Sequence, residues 1–339
     1  MNNTNNRRVG RYTVKLLNPP AIIATTSIVG PKEGKGPLKD YFDVVLTDDT
    51  NGKESFEKAE SSMMYDAIQQ TLDKANLKEK DIDYLCAGDL LNQLSSSNFA
   101  AREVDMPFIG LYGACSTMSE SISIASMLID GGFAKYTIAS TSSHFSSAER
   151  QFRFPLEFGS QRSLASQWTV TGSGAVLLAS EGNFPRVTHI TTGKVKDYGI
   201  KDPNNMGAAM APAAVDTIYN HFLDTGRDGN YYDVIATGDL GKVGYDITVD
   251  LLKEYGYDIT SSYIDCGESI FDNEKQNTCS GGSGCGCSAV VFCGYLYKQL
   301  MKKEIQKILL VSTGALMSPT TSFQGESMPG IAHAVSIEF

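Results

Sequence analysis

Apolar positions along the chain follow two spacings, one helical and one typical of buried strands. Over residues 57–75, small and apolar side chains recur every three or four positions, which predicts an amphipathic helix. Short, nearly continuous apolar runs predict buried strands at 81–87, 134–140 and 170–180. Because buried strands that alternate with helices pair in parallel through helical crossovers, the pattern predicts an α/β fold.

A second helix is predicted directly after Cys115. Ile122, Ala125 and Ile129 share one face at helical spacing. The pattern Thr117-x-x-Glu120 indicates a capping box at the start of this helix. Cys115 is therefore expected at a helix N-terminus, where unpaired N–H groups favour a thiolate.

The chain contains an internal repeat. DYLCAGDL at 83–90 recurs as DVIATGDL at 233–240, at an offset of 150 residues. KYTIAST at 135–141 recurs as KILLVST at 307–313, at an offset of 172. Each pair predicts an equivalent buried strand, and the first pair ends in a tight Gly-Asp turn.

The cysteine that begins the second helix is also repeated. The offset of 172 places Cys115 on Cys287, and the change from 150 to 172 implies an insertion of 22 residues in the second half. Three matches in the same order indicate a duplication. We expect two halves, at 1–184 and 185–339.

Composition limits the classes of partner. The chain has 339 residues, 42% of them hydrophobic, and a formal net charge of −10. Nucleic-acid binding needs clustered basic residues, so it is not expected. The N-terminus lacks the apolar run of a signal peptide, and the longest apolar stretch is too short to span a bilayer.

The seven cysteines do not indicate a disulfide framework, since their number is odd and the chain has no secretory features. Cys279, Cys285, Cys287 and Cys293 have the spacing C-x5-C-x-C-x5-C, which matches no zinc-ribbon pattern. The glycine-rich stretch at 281–286 lacks the Lys-Ser/Thr of a phosphate loop. We expect neither a metal nor a cofactor.

The repeat and the cysteine region resemble the thiolase and ketoacyl synthase superfamily. GLYGACST at 110–117 is similar to the nucleophile region of the ketoacyl synthase III branch, and TVTGSGAVL at 169–177 resembles a strand that closes the first half of those enzymes. The resemblance implies a five-layer αβαβα sandwich built from two duplicated halves.

The same resemblance implies a catalytic His and Asn in the second half, and this sequence departs from both. ATGDL stands at 236–240 and GSGCG at 282–286. Acyl transfer needs a base and an oxyanion hole besides the nucleophile. We therefore expect a binding protein rather than an enzyme. The alternative is an acyl-transferring enzyme that uses Cys115 with His144.

A narrower resemblance covers nearly the whole chain. TSSH at 141–144 followed by AERQFR at 148–153, together with MAPAA at 210–214 and TGALMSP at 313–319, is similar to the stage V sporulation protein AD family. The resemblance implies binding of dipicolinic acid, pyridine-2,6-dicarboxylate, and help in loading it into the developing spore. It also implies membrane proteins of the same operon as partners, and peripheral attachment at the cytoplasmic side of the forespore or spore inner membrane. Free dipicolinate and its calcium complex both remain open as the ligand.

A planar dianion needs cationic donors and a flat apolar wall. We expect Cys115 at the floor of the ligand site, with His144, Arg150 and Arg153 nearest the carboxylates. The alternatives are an inert buried cysteine and arginines that are solvated or paired with Glu149 and Glu157. A homodimer that pairs through the strand at 135–141 is also expected, because that strand would otherwise be an exposed edge.

Overall fold

The computed structural model describes residues 6–152 and 162–339. Its strands are β1 (Thr13–Lys15), β2 (Ala21–Val29), β3 (Val44–Val45), β4 (Tyr84–Gly88), β5 (Phe108–Gly110), β6 (Tyr136–Ser143), β7 (Trp168–Thr169), β8 (Gly172–Ala179), β9 (Arg186–Thr191), β10 (Val234–Thr237), β11 (Tyr263–Asp265), β12 (Gly282–Ser283), β13 (Lys307–Ala315) and β14 (Gly330–Glu338).

The helices are α1 (Phe56–Ala75), α2 (Ser95–Arg102), α3 (Thr117–Asp130), α4 (Phe145–Phe152), α5 (Met206–Thr225), α6 (Gly241–Glu254), α7 (Cys266–Ile270), α8 (Cys285–Val291), α9 (Tyr297–Met301) and α10 (Pro319–Phe323). A single π-helical turn joins α8 to α9. Within the two described ranges, no helix combines the length and the apolar character needed to cross a bilayer.

The predicted helix over 57–75 is α1, and local sequence accounts for its ends. The Ser55 hydroxyl accepts the Lys58 N–H at 3.3 Å and caps the first turn. Asn76 ends the helix in the left-handed conformation that a C-terminal cap requires. The predicted strands are also present, as β4, β6 and β8.

Each half contributes five strands in one repeated order. The first half runs β2-β8-β6-β4-β5 and the second runs β9-β14-β13-β10-β11. In each half the last three strands are parallel and the first three are antiparallel. The two sets are connected by a single residue pair between β2 and β9, Ala21 with Arg186.

The repeated sequences occupy equivalent places in the two halves. The first repeat forms β4 and β10, the second forms β6 and β13, and the repeated cysteines lie at α3 and α8. The division between 1–184 and 185–339 falls in the connection from β8 to β9 and stays a prediction. The 22-residue insertion falls in the part of the second half that contains the longer helix α6, α7 and β12.

Helices and sheets form five layers. Helices α3 and α8 contact each other and strands of both halves, so they form the middle layer. Helix α1 packs on the outer face of the first sheet, and α5 packs on the outer face of the second. Each outer interface has its own apolar core, and the largest core surrounds the middle helices. The architecture is the expected αβαβα sandwich.

Strand β6 is not an edge, contrary to the expectation for 135–141. It pairs with β4 on one side and with β8 on the other along its length. In the described part of the chain, β5 is the outermost strand of the first half and pairs only with β4. The sequence pattern could not reveal this, because β5 is only three residues long.

Candidate functional site

The turn that presents Cys115 is held by its own hydroxyl groups. Ala114 adopts φ of 49°, a left-handed conformation that costs an alanine roughly 1–2 kcal/mol. The Ser116 hydroxyl donates to the Gly113 carbonyl at 2.7 Å, and the Thr117 hydroxyl donates to the Ala114 carbonyl at 2.6 Å. These bonds fix the strained turn that leads into α3.

The predicted capping box between Thr117 and Glu120 does not form. Ser116 is the N-cap residue of α3, and no side chain caps this helix. Thr117 directs its hydroxyl back to the turn, where it also accepts the Gly113 N–H at 3.1 Å. The prediction was wrong because this threonine bonds within the cysteine turn rather than at the helix end.

The second half reaches Cys115 through the end of β13. A Cβ atom at Gly314 would lie 2.4 Å from the Gly113 carbonyl oxygen and 3.1 Å from the Cys115 nitrogen. No larger residue fits between these backbones without a shift. The close approach also brings Thr313, the neighbour of Gly314, next to the turn that presents Cys115.

The charged group that acts on the Cys115 thiol at close range is the carboxylate of Asp239. Asp239 is fully buried. It accepts the Thr313 hydroxyl at 2.8 Å, the Gly284 N–H at 2.8 Å and the Ser283 hydroxyl at 3.1 Å. It belongs to the repeated Gly-Asp turn, within the segment 236–240 that lacks the expected imidazole.

This pairing disfavours the thiolate. Burial raises the pKa of the Asp239 carboxyl to about 6, so the group is mostly ionised at pH 7. Burial, together with the negative charge of Asp239, raises the pKa of the Cys115 thiol well above its usual range. The helix N-terminus was expected to favour the thiolate, but burial and the adjacent carboxylate have the larger effect.

Apolar side chains surround the thiol. Cys115 packs with Leu90, Ala148 and Cys285, and Phe152 adds a partly buried ring. Tyr112 lies at the outer side of this group with 48% of its surface exposed, and burial raises the pKa of its phenol to about 12. We call this group of residues the thiol chamber.

A second set of buried acids lies beside the chamber. Asp89, the repeat partner of Asp239, accepts the N–H and the hydroxyl of Ser97 at 2.7 and 2.6 Å. Glu60 accepts the Ser147 hydroxyl at 2.7 Å. Burial and the neighbouring Asp89 raise the pKa of Glu60 to about 8. At pH 7 the Glu60 carboxyl is therefore mostly protonated, and the negative charge that opposes a dianion in the chamber is mainly that of Asp239.

His144 is placed in a closed local network. Its Nε2 lies 2.7 Å from the Asp49 carbonyl oxygen and donates to it, and its Nδ1 accepts the Ser146 N–H at 3.1 Å. Its ring centroid lies 5.2 Å from that of Phe56. Burial lowers the pKa of His144, so the ring is neutral at pH 7 and both nitrogens have partners.

The arginines differ from one another in their surroundings. The Arg150 side chain is 52% exposed and forms an ion pair with Glu57. Arg153 lies outside the described residues. Arg162, which sequence analysis did not single out, is only 9% exposed, pairs with Glu149 at 3.1 Å and lies 4.7 Å over the Trp168 ring. Glu149, one of the carboxylates considered for Arg150, is thus paired with Arg162.

Arg150 lines a surface cleft of about 280 Å³. The other lining residues carry mostly polar groups and come from α1, α4, the connection from β4 to α2 and the start of α2; they are Glu57, Leu91, Asn92, Ser95, Ser147 and Gln151. Helix α4 separates this cleft, which we call the Arg150 cleft, from the thiol chamber, since Ala148 and Phe152 face Cys115. Leu90 and Leu91 likewise face the chamber and the cleft, respectively.

The GDL repeat in the sequence points to Asp239 as a structurally important residue. The GDL repeat marked Asp239 and Asp89 as equivalent buried turns, but it did not show that Asp239 reaches Cys115 across the two halves. All seven cysteines are free thiols. Cys285, at the start of α8, donates to the Ser142 carbonyl at 2.9 Å and lies in the chamber wall.

Solved structures resemble this fold at low sequence identity. The 3-oxoacyl-[acyl-carrier-protein] synthase III of Aquifex aeolicus VF5 superposes with a TM-score of 0.55 and 14% identity, over 94% of this chain and 100% of that one. The cerulenin-bound OleA of Xanthomonas campestris gives a TM-score of 0.59 and 14% identity, over 95% of this chain and 97% of that one. These likenesses establish the thiolase-like fold.

Sequence comparison is more specific. Residues 10–338 match the family described as Stage V sporulation protein AD. The Stage V sporulation protein AD of Bacillus subtilis (strain 168) is 46% identical over 329 residues, which cover 97% of each chain. With the thiolase-like fold, these matches show that the chain belongs to the stage V sporulation protein AD family.

Proposed function

We propose that this sporulation protein is a non-catalytic binder of dipicolinate that helps load it into the developing spore. The observation that carries the first part is the fully buried carboxylate of Asp239, whose negative charge acts on the Cys115 thiol. A carboxylate of pKa about 6 is a weak base for a thiol whose own pKa is strongly raised. The resemblance to the stage V sporulation protein AD family supplies the identity of the ligand.

Electrostatics favour the Arg150 cleft over the thiol chamber for the carboxylates of the ligand. The ionised carboxylate of Asp239 lies at the chamber, whereas the cleft offers a guanidinium group and the amide side chains of Asn92 and Gln151. A guanidinium binds a carboxylate in two parallel hydrogen bonds.

Glu57 affects whether the cleft favours free dipicolinate or its calcium complex. It pairs with Arg150 and also lines the cleft, so free dipicolinate must compete with it for the guanidinium. In a calcium complex the same carboxylate can bind the metal, because Ca²⁺ takes oxygen ligands. Titration with and without calcium separates the two forms.

Replacing Arg150 by alanine should weaken dipicolinate binding about ten- to a hundredfold, because a charge-assisted contact contributes roughly 1.5–3 kcal/mol. Calorimetric titration measures this effect. Pyridine-2-carboxylate, which lacks one carboxylate, should bind less well to the wild-type protein. Cys115→Ala and His144→Ala test the remaining members of the expected site.

Arg102→Ala is the matched control, since Arg102 is another exposed arginine that pairs with a glutamate, Glu103. Its affinity should equal that of the wild-type protein. Equal losses in the Arg102 and Arg150 variants would show a general charge effect and exclude the cleft. A folded wild-type protein that binds no dipicolinate would remove the ligand assignment.

A homodimer is proposed through β5 in place of β6. The outer side of β5 has no partner strand in the described residues, and Phe99 and Tyr112 expose large apolar surfaces close to it. Light scattering at micromolar protein should show a dimer, and Phe99→Asp should shift it toward monomer. Phe133→Asp, an exposed position at the end of α3, should not. A monomeric wild-type protein would contradict the proposal.

The partners and location follow from the proposed role. Membrane proteins of the same sporulation operon would receive the ligand, with this chain attached peripherally at the cytoplasmic side of the forespore or spore inner membrane. Fractionation of sporulating cells, with and without those proteins, tests this placement. Recovery of the chain in the supernatant in both cases would contradict it.

A further inference from the structure

A second cavity lies on the other half of the molecule, away from Cys115. It has a volume of about 200 Å³ and is formed by α5, the end of α6 and the loop after β9. Its apolar floor includes Val215 and Leu251. The volume suits a molecule built on one substituted aromatic ring.

Two lysines at this cavity share a single carboxylate oxygen. The Nζ atoms of Lys194 and Lys196 both lie 3.2 Å from Oδ1 of Asp216. The other oxygen of Asp216 accepts the Asn220 side-chain amide at 3.2 Å. Two ammonium groups around one carboxylate leave one positive charge unbalanced, on a chain whose formal net charge is −10.

Tyrosine rings form the walls. Tyr198 and Tyr255 are 61% and 52% exposed, so a ligand can reach both side chains. The Tyr219 and Tyr255 rings pack with centroids 4.9 Å apart. The walls therefore offer ring faces to a planar molecule, next to the two ammonium groups.

We infer that this cavity, which we call the lysine–tyrosine site, binds a small aromatic carboxylate. A ligand carboxylate would share Lys194 and Lys196 with Asp216 and balance the local charge. The ligand ring would pack against Tyr198 and Tyr255, since offset or edge-to-face aromatic pairs are favourable. The inference stands on these residues alone and does not depend on the ligand proposed for the Arg150 cleft.

The probe is benzene-1,3-dicarboxylate, titrated into the full chain and followed by calorimetry. The double variant Lys194→Gln/Lys196→Gln should bind it at least about tenfold more weakly than the wild-type protein. Tyr255→Ala should also lose affinity. The control Lys78→Gln/Lys80→Gln removes two exposed lysines at the same spacing and should bind as the wild-type protein does.

Three results would overturn the inference. The first is an affinity that falls in Arg150→Ala and stays constant in the double lysine variant, since the probe would then occupy the Arg150 cleft. The second is equal binding of cyclohexane-1,3-dicarboxylate, which would remove the role of the tyrosine rings. The third is no binding to the folded wild-type protein at millimolar concentration. Dipicolinate binding measured in the same variants keeps this test separate from that of the proposed function.

Discussion

Asp239→Asn is expected to speed alkylation of Cys115 by iodoacetamide at pH 8 by about tenfold or more. The thiolate is the reacting form, and the wild-type carboxylate opposes its formation at close range. Asparagine keeps the size of the side chain and removes its charge, so the pKa of Cys115 should fall. Mass spectrometry of the modified peptide over time measures the rate.

Asp265→Asn is the matched control for this change. Asp265 is also fully buried and accepts backbone N–H groups, from Leu240 at 2.9 Å and Gly241 at 2.8 Å. Its charge affects Cys266 and Cys287. The Cys115 rate should therefore change little in this variant. Equal acceleration in both variants, or a lower melting temperature only in Asp239→Asn, would point to loosening of the fold instead.

The protein is expected to lose stability as the pH rises from about 5 to 9, and Glu33 should account for a large share. Burial raises the pKa of the Glu33 carboxyl from 4.5 to about 8. The folded state then holds a proton that the unfolded chain releases, so this stabilisation is complete below pH 4.5 and is lost as the pH rises through 8. The difference amounts to on the order of 5 kcal/mol, at about 1.4 kcal/mol per pKa unit.

Glu33→Gln should flatten this pH dependence. The free energy of unfolding, measured with urea, should fall less between pH 5 and pH 9 in the variant than in the wild-type protein. Glu57→Gln is the contrasting case, because the partial burial of Glu57 is outweighed by the hydrogen bond from Arg150, which lowers the pKa of this carboxyl. That variant should be less stable than the wild-type protein at neutral pH. Parallel pH profiles for wild-type and Glu33→Gln proteins would contradict the account of Glu33.

Much of the fold could be predicted because the signals were local or repeated. Helix α1 followed from apolar spacing, and β4 and β10 followed from the DYLCAGDL and DVIATGDL repeat. The central position of β6 could not be predicted, because strand order depends on which strands meet in space. The Thr117 prediction failed for a similar reason, since its hydroxyl had a nearer partner in the strained turn at Ala114.

The candidate site was less predictable than the fold. Cys115 was identified from its surroundings in sequence, but its partner Asp239 lies 124 positions further along the chain and meets it only through the packing of the two halves. The need of a dianion for cationic donors pointed to His144 and Arg150, with pairing of the arginines to Glu149 and Glu157 left open. The partners of these two donors, Asp49 for one and Glu57 for the other, come from distant segments that no spacing rule connects to them.

The central claim is that the Asp239 carboxylate keeps Cys115 from acting as a nucleophile, so that the protein binds its ligand without catalysing acyl transfer. Its most direct test is the intact mass of the protein after incubation with a panel of acyl-CoA thioesters. The account predicts that the mass of the wild-type protein stays unchanged and that no CoA is released. A stable acyl adduct on Cys115 together with CoA release would contradict the claim and would support the alternative that the protein is an acyl-transferring enzyme.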